Sequence, residues 1–252
     1  MARMVTIMSI KTNTIEDRLD EIFGANFRSD HVGALSSARP YLHSEEKAAF
    51  DRSKIVKAGV IGAVPASMGL LAVILCDGVN PIYRQERVGY LCRPMEIAKI
   101  RTMPRETADV SSNGHADERR SRVGRFLSRF RIDEYPQLMN IWRGEMSVIG
   151  PRALLPSDYE NAVTLLGKTK AQEWVVARTT ALPGAFDEFT ILFTDHQIEG
   201  DPQQQLEQRV ESECAYIFET ASLQEDARIF EIGASIARQS VGSKIGFGNR
   251  QG

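Results

Sequence analysis

Two adjacent carboxylates, Asp133 and Glu134, stand in the run Arg131-Ile132-Asp133-Glu134-Tyr135-Pro136-Gln137-Leu138, closely followed by Met146-Ser147-Val148-Ile149-Gly150-Pro151-Arg152. A carboxylate attacks phosphorus only when its own charge and the phosphate's are offset by cations. Arg129, Arg131 and Arg152 lie beside this pair in the sequence, so the pattern points to phosphate chemistry with a divalent metal completing the charge balance. Taken alone, the same pair reads as a solvated surface at a helix start.

The rest of the chain must position these groups. At 252 residues and 42% hydrophobic, it is long and apolar enough to bury one good core, and its composition excludes a disordered or low-complexity protein. The net charge of -2 hides a division: Arg84 to Arg131 carries 12 Lys/Arg against 6 Asp/Glu, whereas Pro183 to Ile232 carries 2 against 12. The basic middle suits phosphates or an anionic membrane surface, and the acidic part a solvated face. Cys76, Cys92 and Cys214 are odd in number and far apart, which argues against a disulfide framework and a zinc site and for a chain facing the cytoplasm. His31, His43, His115 and His196 form no pair at metal-ligand spacing. Any metal is therefore expected on oxygen ligands.

Met1 to Lys11 has too short an apolar run for a secretory signal. Thr14-x-x-Asp17 followed by Ile15, Leu19, Ile22 and Phe23 at helical intervals predicts a short capped amphipathic helix, with Gly24 to Pro40 as a linker. Ile55 to Cys76 is an apolar segment long enough to cross a bilayer, and its alternative is a buried core helix. Pro65, with Gly59, Gly62 and Gly69 around it, predicts a break. Basic residues flank both ends (Arg52, Lys54 and Lys57 before, Arg84 and Arg87 after), so no charge asymmetry orients a simple span. A re-entrant helix with both ends on the cytoplasmic side follows.

Pro81 to Gly89 and Met95 to Met103 predict two short strands around a turn at Gly89 to Pro94. Arg84, Arg87, Lys99 and Arg101 are expected to converge across this hairpin, to hold either a substrate phosphate or lipid headgroups. Pro104 to Asp117 reads as a polar loop. Beyond it, Val123, Phe126, Leu127 and Phe130 recur at helical spacing among Arg122, Arg125 and Arg129, as in an interfacial helix on anionic lipid. A basic nucleic-acid helix is the competing reading, and no recognised nucleic-acid motif accompanies it.

The ordered blocks Phe50-Asp51, the apolar segment with its central proline, Arg84-Gln85-Glu86-Arg87-Val88-Gly89, Lys99-Ile100-Arg101-Thr102-Met103, Gly124-Arg125-Phe126-Leu127, Asp133 to Asn140 and Gly144 to Arg152 resemble the bacterial sugar transferases. These are the monotopic polyprenyl-phosphate phosphoglycosyl transferases that initiate polysaccharide assembly. The resemblance spans roughly residues 47 to 235 and is looser toward the C-terminus, at Pro183-Gly184, Glu213 to Tyr216, Ser222 and Asp226.

The resemblance implies transfer of a sugar 1-phosphate from a UDP-sugar to undecaprenyl phosphate, dependent on Mg²⁺, at the cytoplasmic face of the bacterial inner membrane. Asp133 matches the aspartate that attacks the β-phosphate, and Glu134 its partner in metal coordination or acceptor handling. Pro151-Arg152 matches an element near the nucleotide, Arg87, Lys99 and Arg101 match basic positions of the phosphate site, and Asp51 anchors the re-entrant helix. Arg129 joins the expected substrate-binding set. The chain departs from the family pattern at Val64-Pro65, at Gly78-Val79-Asn80-Pro81, at Ala153 after Arg152, and at Pro183-Gly184-Ala185-Phe186-Asp187, which bears on sugar or nucleotide specificity.

The expected fold is mostly α with a small β-hairpin or sheet, a monotopic re-entrant membrane helix broken at Pro65, and interfacial amphipathic helices. Residues 1–46 are expected as an N-terminal extension, 47–78 as the membrane helix, 79–235 as the catalytic domain and 236–252 as a tail. UDP-sugar, undecaprenyl phosphate and membrane lipid are the expected partners, nucleic acid is not, and homo-oligomerisation is left open. The rival readings are a non-catalytic membrane scaffold that keeps the transferase body and a full-span anchor with a nucleic-acid-binding helix.

Overall fold

Helix α1 (Ile15–Phe23) begins at the capping box that the sequence predicts. The Thr14 hydroxyl accepts from the Asp17 N–H at 3.1 Å and the Asp17 carboxylate accepts from the Thr14 N–H at 3.2 Å, satisfying two backbone donors that the first turn leaves open. The structure is a computed structural model and describes residues 14–24, 27–103, 120–194 and 200–245. The expected loop Pro104 to Asp117 lies outside the described residues.

The stretch expected as a linker after Gly24 is structured. A 3₁₀ turn (Phe27–Asp30) leads into α2 (His31–Ser37), and Phe27 packs on Phe23 with ring centroids 5.3 Å apart. Small polar residues dominate this segment, yet Phe27 and His31 are both buried, and burying one large apolar side chain contributes roughly 1.5–3 kcal/mol. Leu19, Phe23 and Phe27 share a core with Val88, Tyr159 and Trp174. The described part of the N-terminal extension is thus packed into the same body as the residues that follow.

Helix α3 (Glu45–Ala72) carries Pro65 inside it and continues as a π-helical turn (Val73–Asp77). Pro65 kinks the helix without ending it, so the expected break is milder than a chain reversal. Only 17% of its most apolar window is buried, which sets aside the core-helix reading. Phe50, Asp51, Ile55, Ala66, Gly69 and Val73 are buried, with Gly59 and Gly62 half-buried between them. Steps of three and four place these residues on one face. Near the start of that face Asp51 accepts from the Val148 N–H at 2.9 Å, in the middle the Gly59 carbonyl accepts from the Tyr135 hydroxyl at 2.8 Å, and at the end Asp77 accepts from the Ser121 hydroxyl at 2.8 Å. The helix is therefore seated along one protein body for its full length. Glycine allows this approach: an added Cβ on Gly62 or Gly69 would stand 2.6 Å from Tyr135 or 2.7 Å from Leu127.

Strands β1 (Ile82–Val88) and β2 (Pro94–Ile100) form the predicted antiparallel hairpin, with Tyr83 opposite Lys99 and Arg87 opposite Met95. Helix α4 (Arg122–Arg129) follows, capped by Ser121. The helix splits its expected apolar face, since Leu127 is buried against α3 while Phe126 is 58% exposed and lies tilted against Phe130. A 3₁₀ segment (Ile132–Gln137) runs into α5 (Leu138–Trp142). Strand β3 (Ser147–Ile149) then pairs in parallel with β4 (Gly184–Phe186), which arrives after α6 (Pro156–Leu166) and α7 (Lys168–Arg178).

Helices α8 (Glu188–Thr194), α9 (Pro202–Ala215) with its π-helical extension (Tyr216–Thr220), and α10 (Leu223–Ile245) complete the described chain. The tail expected from residue 236 is helical as far as Ile245. Buried Asp226 of α10 meets Lys47 Nζ at 2.5 Å and accepts from the Tyr41 and Tyr216 hydroxyls at 2.9 and 2.6 Å. Lys47 also donates to the Ile149 carbonyl at 2.7 Å. The first turn of α3, strand β3 and the C-terminal helix are locked by this one cluster, and an ion pair so deeply buried persists only when its other hydrogen bonds are also made.

Candidate active site

Arg131, in the left-handed region at φ 53°, turns the chain from α4 into the 3₁₀ segment that presents the carboxylate pair. A non-glycine residue rarely adopts this conformation, and here it brings Arg131 back onto Glu134, three residues on, at 2.6 Å. Lys99 from β2 reaches Glu134 Oε1 at 3.3 Å, and Arg152, following β3, reaches the same oxygen at 3.1 Å. Three separate elements thus converge on one carboxylate. Burial pushes the Glu134 carboxyl up, but Arg131, Arg152 and Lys99 outweigh it and hold it down at about 2.

Asp133 behaves in the opposite way. Burial and then the Glu134 charge push its carboxyl above the usual aspartate range, partly offset by Lys99, Arg131 and Arg120. No hydrogen bond to its carboxylate is found among the described residues, and the side chain is buried at 9% exposure. An unencumbered carboxylate beside several cations can act as a nucleophile. Its neighbour, with both oxygens engaged, holds those cations in place.

The cations come from a strand face that the hairpin register defines. Arg87 and Lys99 share a face with Tyr83 and Gln85, and Arg87 donates to Gln85 Oε1 at 2.6 Å and to the Ala153 carbonyl at 3.2 Å. Burial lowers both the Arg87 and the Lys99 pKa. The expected convergence of four basic residues is corrected here. Arg84 lies three residues from Arg87, hence on the opposite face, where it pairs with Glu96 at 2.6 Å. Arg101 is drawn away, donating to the Asn80 carbonyl at 3.0 Å and lying 5.4 Å from the centre of the Tyr83 ring. The Arg129 side chain lies outside the described residues.

Pro151 and Arg152 are fixed by close backbone packing. The Pro151 carbonyl accepts from the Gly184 N–H at 2.8 Å, and the Gly150 backbone occupies the space a Gly184 side chain would need. Arg178, buried on α7, donates to the Arg152 carbonyl at 2.6 Å while paired with Glu213 at 2.9 Å. Glu213 also accepts from Trp174 and Arg209. Arg178 is a functional-site neighbour that the sequence reading left out, whereas Arg131 and Asp187 were named there, as a cation beside the pair and as part of the divergent loop, without an assigned role. Asp187 stands on the loop that departs from the family pattern; its charge helps raise the Arg152 pKa, where burial acts the other way and Glu134 contributes most. Arg178 carried no sequence signal, since it reaches Arg152 and Glu213 only through the folded topology.

Among the described residues no group of three or more His, Cys, Asp or Glu side chains could hold a metal, and the three cysteines are free. Glu134 already shares both oxygens among three cations, leaving Asp133 as the carboxylate able to take a metal. That donor set does not make a resident metal centre; it fits an ion arriving on a substrate's phosphates, since Mg²⁺ is commonly held by one or two carboxylates plus phosphate oxygens. A cavity of about 770 Å³ between α2, α7 and α9 shares no residue with the carboxylate pair.

A half-exposed apolar helix long enough to cross a membrane is thus seated on a mostly α body that carries a carboxylate pair ringed by basic residues. The family model for bacterial sugar transferases matches residues 43–238, and the chain belongs to that family. It is 39% identical over 115 residues to a UDP-glucose:undecaprenyl-phosphate glucose-1-phosphate transferase of Caulobacter vibrioides, covering 43% of each chain. An undecaprenyl-phosphate glucose phosphotransferase of Komagataeibacter xylinus is 34% identical over 142 residues, 55% of this chain and 26% of its own. A putative undecaprenyl-phosphate N-acetylgalactosaminyl 1-phosphate transferase of Bacillus subtilis is 38% identical over 105 residues, 39% of this chain and 56% of its own. The matches thus span between a quarter and a little over half of those relatives.

Proposed function

We propose that this protein transfers a sugar 1-phosphate from a UDP-sugar to undecaprenyl phosphate, initiating assembly of an exopolysaccharide repeat unit. The observation that carries this reading is the pairing of Asp133, buried with a free carboxylate, with Glu134, held ionised by Lys99, Arg131 and Arg152. In the first displacement an Asp133 carboxylate oxygen bonds to the β-phosphorus of the donor, the bond to the bridging oxygen breaks, and UMP leaves with that electron pair. In the second, a phosphate oxygen of the lipid bonds to the same phosphorus and the Asp133–phosphorus bond breaks, returning a free carboxylate and a lipid diphosphate sugar. Splitting the transfer in this way lets two bulky phosphates use one site in turn.

Lys99, Arg87, Arg131 and Arg152 supply the fixed positive charge that a phosphoryl transition state requires, in a partly buried setting where it acts strongly. Asp133 would hold Mg²⁺ together with the donor's diphosphate, and the ion would add charge neutralisation there. Arg152, braced by Arg178 and Gly184, is assigned to the donor. The exposed apolar face of α3, with Val60 75%, Ile61 78% and Val64 67% exposed, sits in the cytoplasmic leaflet of the inner membrane. The contacts of α3 with the catalytic body at Asp51, Gly59 and Asp77 support the re-entrant over the spanning arrangement.

The test is UMP release from a panel of UDP-sugars by nanodisc-embedded protein with Mg²⁺ and undecaprenyl phosphate. Acceptor-dependent release with one donor supports the reaction and names the sugar. Silence across uridine and other nucleotide donors supports the scaffold reading instead, with the Pro183 to Asp187 loop as the altered element.

A further inference from the structure

We propose that a groove between α3 and α5 holds the first isoprenoid units of the lipid acceptor. It has a volume of about 280 Å³ and is lined by Ile55, Val56 and Gly59 on one side and by Tyr135, Pro136, Leu138, Met139 and Trp142 on the other. This inference rests on the reaction proposed above.

Three observations select the occupant. No lining residue carries a charge, and Trp142, Met139 and Val56 are 65%, 52% and 54% exposed at the groove, a cost in water that an apolar ligand or membrane removes. The wall begins at Tyr135 and Pro136, the two residues directly after Asp133 and Glu134, so the apolar track adjoins the cation cluster. The Tyr135 hydroxyl bonds to the Gly59 carbonyl at 2.8 Å, fixing the wall to α3. A ligand matching this juxtaposition has an anionic phosphate at one end and an extended hydrocarbon at the other. The volume lies just below the usual range of about 300–1,000 Å³ for small-molecule sites, which suits the start of the chain, with the remainder passing onto the exposed face of α3.

An added Cβ on Gly59, which lines the groove, meets nothing within 4 Å, and leucine is the better helix former, so Gly59→Leu is the substitution chosen to narrow the groove. The assay uses nanodiscs of brominated phosphatidylglycerol, which quench exposed Trp142; Trp174, at 2% exposure, gives a constant background. Undecaprenyl phosphate should relieve the quenching saturably in the native protein, undecaprenol should do so at least tenfold less effectively, and Gly59→Leu should lose the relief. In turnover, Gly59→Leu should raise the KM for undecaprenyl phosphate about tenfold with donor-only UMP release unchanged.

Equal relief by undecaprenol, or by unbrominated phosphatidylglycerol, would show a general membrane contact and overturn the proposal. An unchanged acceptor KM in Gly59→Leu would overturn it while leaving the reaction standing. Phosphate-dependent relief in a protein that releases UMP from no donor would uphold the groove and remove the transferase reading.

Discussion

Replacing Glu134 by Gln removes the one negative charge shared by Lys99, Arg131 and Arg152. In the folded protein the Glu134 carboxyl titrates at about 2 instead of an ordinary 4.5, which at about 1.4 kcal/mol per pKa unit amounts to about 3 kcal/mol favouring the charged form. The Glu134 side chain is 17% exposed, so solvent screens the interaction only partly. Because the folded value is the lower one, the stabilisation is complete above about pH 4.5 and is lost as pH falls toward 2. At neutral pH Glu134→Gln should therefore lower Tm by roughly 6–12 °C for a chain of this size. The assay is thermal unfolding of both proteins in the same nanodiscs from pH 7 to pH 3. Their gap should narrow through the acid range, since the other carboxylates titrate alike in both. A gap that is absent at pH 7, or constant across the range, would refute the assignment of Glu134 as the charged hub.

The acid limb of donor-only UMP release should lie above the ordinary aspartate range, because Asp133 must be ionised to attack and burial raises its pKa; a limb at or below that range would contradict its burial. Gly184→Ala should cost roughly 1–3 kcal/mol through overpacking against Gly150 and should displace Arg152. A native Tm with a native donor KM would show that the close approach of β3 and β4 is not needed.

Some of this was legible in the sequence because the signals are local. The capping box at Thr14, the hairpin between Ile82 and Ile100, and the apolar length of α3 each depend on residues within a few positions of one another. Asp133, Glu134 and Arg152 were singled out because a rigid Gly-Pro-Arg turn follows the acidic pair so closely, and the structure brings Arg152 onto Glu134. The parity of the hairpin was equally readable and excludes Arg84 from the face of Arg87, yet charge composition obscured it. Other features leave no local trace. Lys47 finds Asp226 and Arg178 finds Glu213 only through the folded topology, and neither pair has a spacing rule. Phe27 and His31 sit in a polar stretch whose burial is decided by Tyr159 and Trp174, far along the chain. Pro65 removes one helical hydrogen bond, but packing of Ala66, Gly69 and Val73 on Ile100 and Leu127 carries the helix through it.

The central claim is that Asp133 becomes covalently attached to the sugar phosphate. The direct measurement is mass spectrometry of the protein after brief incubation with the reactive UDP-sugar and Mg²⁺ in the absence of lipid acceptor. One added sugar phosphate on the peptide containing Asp133, matched by one equivalent of UMP, absent from Asp133→Asn and discharged by undecaprenyl phosphate, is the predicted result. UMP release by Asp133→Asn at the native rate, or an adduct on another residue, would contradict it.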